Sequence, residues 1–487
     1  MAGFHIEHFG CRAARADGEA LAHRLRGQGL AEAQAEAADL VVVNTCSVTA
    51  EADRAARAFI RRAHRRNPAA KIVVTGCYAQ RAPAEIAEIS GVAAVVGNSH
   101  KALASRIALD LIQIAPTAAP PQVACDCSDT SAAQAVAAPP QVDRDRSNTP
   151  AAQAASAPPQ VVVWADERFA HSFIEELPLA SGRQTRPSFK IQEGCGNHCS
   201  FCVIPQTRGP SQSLPAAAVL RQVEKFVAAG GNELVLSGIN LGRWGRDLQP
   251  GPGEPARLSE LARAIIERTA LPRLRLSSVE PMDWDGDLLA LLRQYGGTRL
   301  ARHAHLPLQS GSDAVLRRMH RRYRPWHYAE KLSSLLAAAG PALTLGADVM
   351  VGFPGETDRE FEETLEFLRA LPFGYLHLFP FSPRPRTRAW ALHAIAPVAL
   401  AAVEERMAAL RALAAEKLRV HRLQFAGDAL PAITLRTPPA LAARKRTAAV
   451  TENNLPVELD GNLPANQMIE VAVRGLTPEN ALEAALR

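Results

Sequence analysis

Short apolar runs alternate with amphipathic helical stretches in two separate blocks of this chain, and that pattern restricts each block to a parallel α/β architecture. In the first block His5–Phe9, Leu40–Asn44, Ile72–Thr75 and Ala93–Val96 read as buried strands. Helices such as Glu19–Gln28 and Ala52–Arg65 fall between them. In the second block six strands are expected: Phe189–Glu193, Glu233–Ser237, Leu274–Ser278, His303–Leu308, Leu343–Val351 and Tyr375–Pro380. Leu214–Ala229, Leu258–Thr269 and Arg359–Arg369 are among the helices that separate them. Six such units predict an open partial (βα)6 barrel rather than the closed eight-unit form.

Between the blocks, Pro120-Pro-Gln-Val123 recurs at Pro139–Val142 and Pro158–Val161 with a period of 19 residues. This stretch lacks the apolar surface for a core and reads as a low-complexity Ala/Pro/Gln linker. After the second block comes a helical stretch over 397–425. Short strand signals then follow at Ala432–Leu435, Ala448–Thr451 and Met468–Val473, as in a small β-domain. The expected division is 1–113, linker 114–166, 181–412 and 413–487.

With 47% hydrophobic and 21% charged residues, the chain has the composition of a soluble globular protein. Its start, MAGFHIEHFGC, carries no signal-peptide pattern, and no apolar run approaches the roughly 20 residues of a membrane span. A cytoplasmic protein with no membrane partner is expected. The net charge of +6 permits an anionic partner. There are 8 cysteines, and a reducing compartment favours metal ligation or catalysis over disulfides.

Cys195, Cys199 and Cys202 lie within eight residues, in Cys195-Gly-Asn-His-Cys199-Ser-Phe-Cys202. Three thiolates can hold three irons of a cubic 4Fe–4S cluster and leave the fourth iron open, whereas electron-transfer clusters normally take four Cys ligands. Zinc would want a fourth Cys or His at matching spacing, and His198 lies inside the motif. A second constellation is dispersed. Cys11, Cys46 and Cys77 each follow an expected strand, separated by 35 and 31 residues. Consecutive strands of a parallel sheet end on one side, so these thiols can converge. Each alone would be an unremarkable core cysteine. Cys125 and Cys127, inside the linker, read as bystanders.

The CxxxCxxC spacing resembles the radical S-adenosylmethionine superfamily. With a three-cysteine α/β domain before it and a small β-domain after it, the chain resembles the methylthiotransferases, whose last domain is the RNA-binding TRAM module. Supporting stretches are Asn44-Thr-Cys-Ser-Val-Thr49, Val74-Thr-Gly-Cys-Tyr-Ala-Gln80, His305-Leu-Pro-Leu-Gln-Ser-Gly311 and Val351-Gly-Phe-Pro-Gly-Glu-Thr357. The resemblance implies two 4Fe–4S clusters, one on Cys11, Cys46 and Cys77 that handles sulfur. The other, on Cys195, Cys199 and Cys202, has the open iron that binds S-adenosylmethionine. One S-adenosylmethionine methylates the sulfur. A second is cleaved to a 5′-deoxyadenosyl radical that takes hydrogen from an unreactive carbon, where the methylthio group is inserted. The cofactors carry this chemistry, and no catalytic residue beyond the ligands is assigned.

The family has members acting on isopentenyladenosine in tRNA, on threonylcarbamoyladenosine in tRNA and on an aspartate of a ribosomal protein. Leu236-Ser-Gly-Ile-Asn-Leu-Gly242, Leu276-Ser-Ser-Val-Glu-Pro281, Thr75-Gly-Cys-Tyr-Ala-Gln-Arg81 and Arg318-Met-His-Arg-Arg-Tyr323 resemble the second group. That group modifies the adenosine at position 37, beside the anticodon. Implied partners are the tRNA anticodon stem-loop, a flavodoxin- or ferredoxin-type reductant and a sulfur donor. Basic clusters at Arg61-Arg62 with Arg65-Arg66, Arg317-Arg318 with Arg321-Arg322, and Arg444-Lys445-Arg446 could meet phosphates. The chain departs from the family pattern at Ala14, at Gln212-Ser-Leu214 and at Arg386-Thr-Arg388, where Gly-Thr-Pro is usual. A different-class alternative is a non-enzymatic iron–sulfur carrier or RNA-binding module.

Overall fold

A computed structural model describes residues 2–112, 161–169, 174 and 185–487. Cys125, Cys127 and most of the repetitive stretch lie outside the described residues.

The first apolar block folds into strands β1 (Gly3–His8), β2 (Ala31–Glu32), β3 (Leu40–Thr45), β4 (Lys71–Gly76), β5 (Val92–Gly97) and β6 (Val162–Trp164). They form one parallel sheet in the order β2-β1-β3-β4-β5-β6. Val41, Val42 and Val43 are all fully buried, as a strand covered by helices on both faces requires. Two expectations are corrected here. The first helix runs over Arg12–Gly27, seven residues earlier than expected. Asp17 breaks the apolar periodicity of its first turns, but it is a half-buried ion-pair partner rather than a solvated residue. The end of the expected linker is also structured: Val162-Val-Trp164 pairs with the open parallel edge of β5.

The second block supplies β7 (Ser188–Glu193), β8 (Gln212–Ser213), β9 (Glu233–Gly238), β10 (Arg273–Leu276), β11 (His303–Gln309), β12 (Thr344–Val351) and β13 (Tyr375–Pro380). One sheet has the order β10-β9-β7-β8, with β8 antiparallel, and another the order β11-β12-β13. Parallel bridges Leu274↔Leu300 and Ser278↔His305 join the two. All six expected strands are therefore present and parallel, in chain order across the sheets. Alternation along each strand separates two faces. Leu345, Ala347, Val349 and Val351 of β12 pack into the apolar core with the helices. Burial of each Leu- or Val-sized side chain contributes about 1.5–3 kcal/mol. Gly346, Asp348 and Met350 point to the opposite, inner face.

Helix Leu400–Leu423 leads to a closed five-stranded barrel of β14 (Ala429–Thr434), β15 (Arg446–Thr451), β16 (Pro456–Asp460), β17 (Met468–Leu476) and β18 (Leu482–Leu486). It seats on the amino ends of the inner strands. The Arg275 guanidinium donates to Glu233 Oε1 at 2.9 Å and to the Glu452 carbonyl at 2.8 Å, and Arg302 Nε donates to Glu452 Oε1 at 2.7 Å. Asn453 Nδ2 donates to the Ala342 carbonyl at 2.9 Å. The Thr451-Glu-Asn-Asn-Leu455 stretch is thus a docking element, and Glu452 and Asn453 are fully buried. No helix of the described residues is long and apolar enough to cross a membrane.

Candidate functional site

Cys195 begins the loop that leaves β7 at its carboxyl end. Three backbone contacts fix this loop. Cys195 N donates to the Gly209 carbonyl at 3.2 Å, Ser200 N to the Met319 carbonyl at 3.0 Å, and Cys202 N to the Cys199 carbonyl at 3.1 Å. Two of the thiols have polar neighbours. Cys195 Sγ accepts from Asn197 N and from Asn240 Nδ2, both at 3.4 Å, and Cys199 Sγ accepts from Arg321 Nη1 at 3.3 Å. Burial raises the Cys202 thiol to about 12, and the nearby Cys199 and Cys195 thiols push it the same way. Burial raises Cys195 as well.

Cys11, Cys46 and Cys77 stand at the carboxyl ends of β1, β3 and β4, which are consecutive neighbours in the sheet. Adjacent strands lie about 4.8 Å apart, so topology alone gathers three residues remote in sequence. Gly10 makes the approach possible. Its φ is 132°, and a Cβ there would sit 2.6 Å from Cys46 Cβ. Cys46 Sγ accepts from Val48 N and Cys77 Sγ from Asn98 Nδ2, each at 3.5 Å. Burial lifts Cys46 to about 12, with Cys77 and then Cys11 adding to the rise. Burial likewise raises Cys77, while the Arg208 guanidinium opposes it.

The six thiols form two groups of three, one on the Cys195 loop and one at the strand ends of the first block. Among the described residues, the three ligand atoms that close to within 4.8 Å of one another belong to His305, Asp348 and His377. Three thiols per site with Arg321 or Arg208 alongside form a donor set that suits an anionic iron–sulfur cluster.

Five charges, three of them buried and two half-buried, run between the two triads. Arg208 Nη1 donates to Glu193 Oε1 at 2.7 Å and to Asp17 Oδ2 at 3.0 Å. Lys101 Nζ and Lys190 Nζ each donate to Glu193 Oε2 at 2.6 Å, and Lys190 also pairs with Asp17. Asp17 and Lys101 come from the first block. Lys190, Glu193 and Arg208 flank the Cys195 loop. Burial alone would raise the Glu193 carboxyl, but Arg208, Lys101 and Lys190 outweigh it and hold it well below the usual range. The Arg208 guanidinium also faces the Cys77 thiol, hydrogen-bonds it and favours its charged form.

A second seam runs nearby. Asp53 Oδ2 accepts from Arg384 Nη1 at 2.7 Å and Arg81 Nη2 at 2.9 Å. Arg386, in place of the family's glycine, has φ 63° and pairs with Glu167.

All six expected ligands therefore fall into two local groups. The expected basic cluster at 317–322 is divided, with Arg317 and Arg322 exposed and Arg321 buried. Arg321 is buried against Cys199 and Glu280, Arg318 is paired with Glu360, and Arg317 with Asp313. Arg61, Arg65, Arg444 and Lys445 remain exposed. Arg208, Arg321, Asn98 and Asn240 were not expected at the site. Their single signal in the sequence is position, shortly after a cysteine or a strand end.

Residues 3–97 match the model of uncharacterized protein family UPF0004, and residues 189–368 match that of the radical SAM superfamily. The threonylcarbamoyladenosine tRNA methylthiotransferase MtaB of Aquifex aeolicus (strain VF5) is 30% identical over 471 residues, 96% of this chain and 99% of its own. The protein of that name from Bacillus subtilis (strain 168) is 34% identical over 391 residues, 80% of this chain and 75% of its own. Among solved structures, the radical S-adenosylmethionine methyltransferase TsrM from Kitasatospora setae, with cobalamin and a [4Fe-4S] cluster bound, shares the fold. The TM-score is 0.53 at 16% identity, covering 80% of this chain and 77% of that one.

Proposed function

The chain belongs to the methylthiotransferase family of radical S-adenosylmethionine enzymes, and from that premise we propose that it adds a methylthio group to C2 of N6-L-threonylcarbamoyladenosine at position 37 of tRNA. The observation that carries the reading is the pair of three-thiol sites with one charge network running between them in a chain related end to end to such enzymes. When bound, two 4Fe–4S clusters supply an open iron that takes S-adenosylmethionine for reductive cleavage and a separate site for sulfur.

The protein's share is ligation, orientation and charge. Cys195, Cys199 and Cys202 hold one cluster, and Cys11, Cys46 and Cys77 the other. Arg321 and Arg208 place a fixed cation beside each, which offsets the charge that three thiolates bring into a partly buried site. The Asp17–Glu193–Arg208 network ties the Cys195 loop to the first block and would hold the two sites in one orientation. We assign 1–113 to sulfur handling, 181–412 to radical chemistry and 413–487 to a TRAM-like RNA-binding role. Because Glu452 and Asn453 are spent on docking, RNA contact falls to exposed Arg436, Arg444 and Lys445. Unstacked bases of the anticodon loop are the form in which proteins commonly read RNA. A reductant protein and a sulfur donor complete the cycle in a cytoplasmic setting.

Mass spectrometry of nucleosides from bulk tRNA, with and without this gene, tests the reading. Loss of 2-methylthio-threonylcarbamoyladenosine with accumulation of its precursor is expected. Loss of the isopentenyl derivative instead would move the substrate and keep the chemistry.

A further inference from the structure

The inner face of β11–β13 carries a polar cluster that the two cysteine sites do not use. Asp348 and His377 are opposite one another in the β12/β13 register. His305, on β11, stands diagonally across from Asp348. His305 Nε2 and His377 Nδ1 both approach Asp348 Oδ1, at 3.1 and 3.3 Å. These three atoms lie within 4.8 Å of one another.

The geometry behind them is that of supported ligands. His305 Nδ1 is 3.0 Å from Tyr375 Oη, which in turn is 2.8 Å from His303 Nε2. A metal-bound imidazole is typically held in this way through its other nitrogen. Gly346 makes the arrangement possible, since a Cβ there would lie 2.1 Å from the Tyr375 ring. The Tyr375 ring therefore crosses β12 to reach the histidines on β11. The set is graded from wall to opening, with the His305 side chain 9% exposed, Asp348 23% and His377 55%. Such a gradient suits a cation held on one side and open to a ligand on the other.

A hydrogen-bonded chain runs from the Cys195 loop to the strand that carries His305. Arg321 donates to Cys199 Sγ and, through Nε, to Tyr323 Oη at 3.0 Å. The Tyr323 hydroxyl donates to the Pro307 carbonyl at 2.5 Å, and Pro307 is two residues beyond His305 on the same strand face.

We propose that His305, Asp348 and His377 bind one divalent first-row metal ion, and that its open positions take the threonine carboxylate of the substrate. Two imidazoles and one carboxylate are a donor set of zinc and non-haem iron sites that keep positions for a substrate. The ion would select the substrate by charge and chelation. A threonylcarbamoyl group presents a carboxylate and a hydroxyl, and an isopentenyl group presents neither. This deepens the proposed function and rests on its choice of substrate.

Zinc is the probe. The full chain is reconstituted anaerobically so that its six cluster cysteines are occupied, and zinc is titrated in by calorimetry. One zinc per chain is expected, lost in Asp348→Asn and weakened at least about tenfold in His377→Gln. His377 is exposed, so that variant tests the site without risk to folding. Zinc should then raise affinity for an anticodon stem-loop carrying threonylcarbamoyladenosine by about tenfold, and leave an isopentenyladenosine stem-loop unchanged. Absence of zinc binding that depends on these residues overturns the site. Zinc that binds but favours both RNAs equally overturns the carboxylate role. The bulk-tRNA assay decides the substrate independently of zinc, so failure of the metal site and failure of the proposed function give different results.

Discussion

The two cysteine triads reach one kind of geometry by opposite routes. Cys195, Cys199 and Cys202 sit on a single loop, and their mutual placement follows from eight consecutive residues and the backbone bonds that pin them. Cys11, Cys46 and Cys77 owe theirs to strand order, because β1, β3 and β4 are neighbours and all end on one side. A local triad survives wherever its loop survives. A dispersed triad depends on every βαβ unit of its sheet and is open to disruption from a distance.

The largest effects should separate the triads by chemistry. Cys199→Ala should abolish 5′-deoxyadenosine formation, read by mass spectrometry after addition of S-adenosylmethionine and reductant. Cys46→Ala should retain that product, lose methylthiolation of tRNA, and drop iron content from about eight to about four per chain. If Cys46→Ala also abolishes 5′-deoxyadenosine, the triads are not independent and the contrast between them fails.

The seam between the triads comes next. Arg208 is fully buried and serves both Glu193 and Asp17, so Arg208→Ala removes one of the three cations these carboxylates share, leaving Lys101 and Lys190. A local loss smaller than the about 3–5 kcal/mol of an uncompensated buried charge is expected, because the two lysines remain. Hydrogen exchange should show it as faster opening of β7 and of helix Arg12–Gly27, with the C-terminal barrel unchanged. Protection lost equally everywhere would mean that the two halves do not open separately.

A control distant from both triads is His421. It lies between Thr344 Oγ1 and Gln424 Nε2, and burial lowers its pKa from 6.5 to about 4. The unfolded chain therefore binds a proton more readily than the folded one between these values. This contribution is complete above pH 6.5, falls away as the pH drops towards 4, and amounts to about 3 kcal/mol. Unfolding followed over that range should show the decline, and His421→Gln should flatten it while leaving the Arg208 effect intact.

The smallest effect concerns the seam loop. At φ 63° Arg386 bears a side chain where glycine is the relaxed choice, and its pairing with Glu167 is exposed. Arg386→Gly should therefore stabilise the folded chain by up to about 1 kcal/mol, seen as a small rise in thermal midpoint. A fall would show that the surface pair outweighs the backbone strain.

Legibility in the sequence follows the same division. The six barrel strands were readable because their alternation reflects burial of one face against helices, which is a local property of composition. The local triad was readable from spacing alone. The dispersed one was readable because strand ends could be placed. The start of the first helix was missed because Asp17 looks like a solvated residue until its partners on β7 and at Arg208 are known. Arg321 was misread as part of an exposed cluster for the same reason, since its partners Cys199 and Glu280 lie 122 and 41 residues away.

By itself the sequence determined the strand and helix order, the two groups of thiols and the resemblance to methylthiotransferases. Each of these depends on residue type at short spacing or on the position of a residue within its own element. Only the tertiary structure decided which charges are buried, that the C-terminal barrel docks through Glu452 and Asn453, and that His305, Asp348 and His377 share one face. Those outcomes depend on contacts between residues tens to hundreds of positions apart, whose energies come from desolvation and pairing. No property of an isolated segment records them.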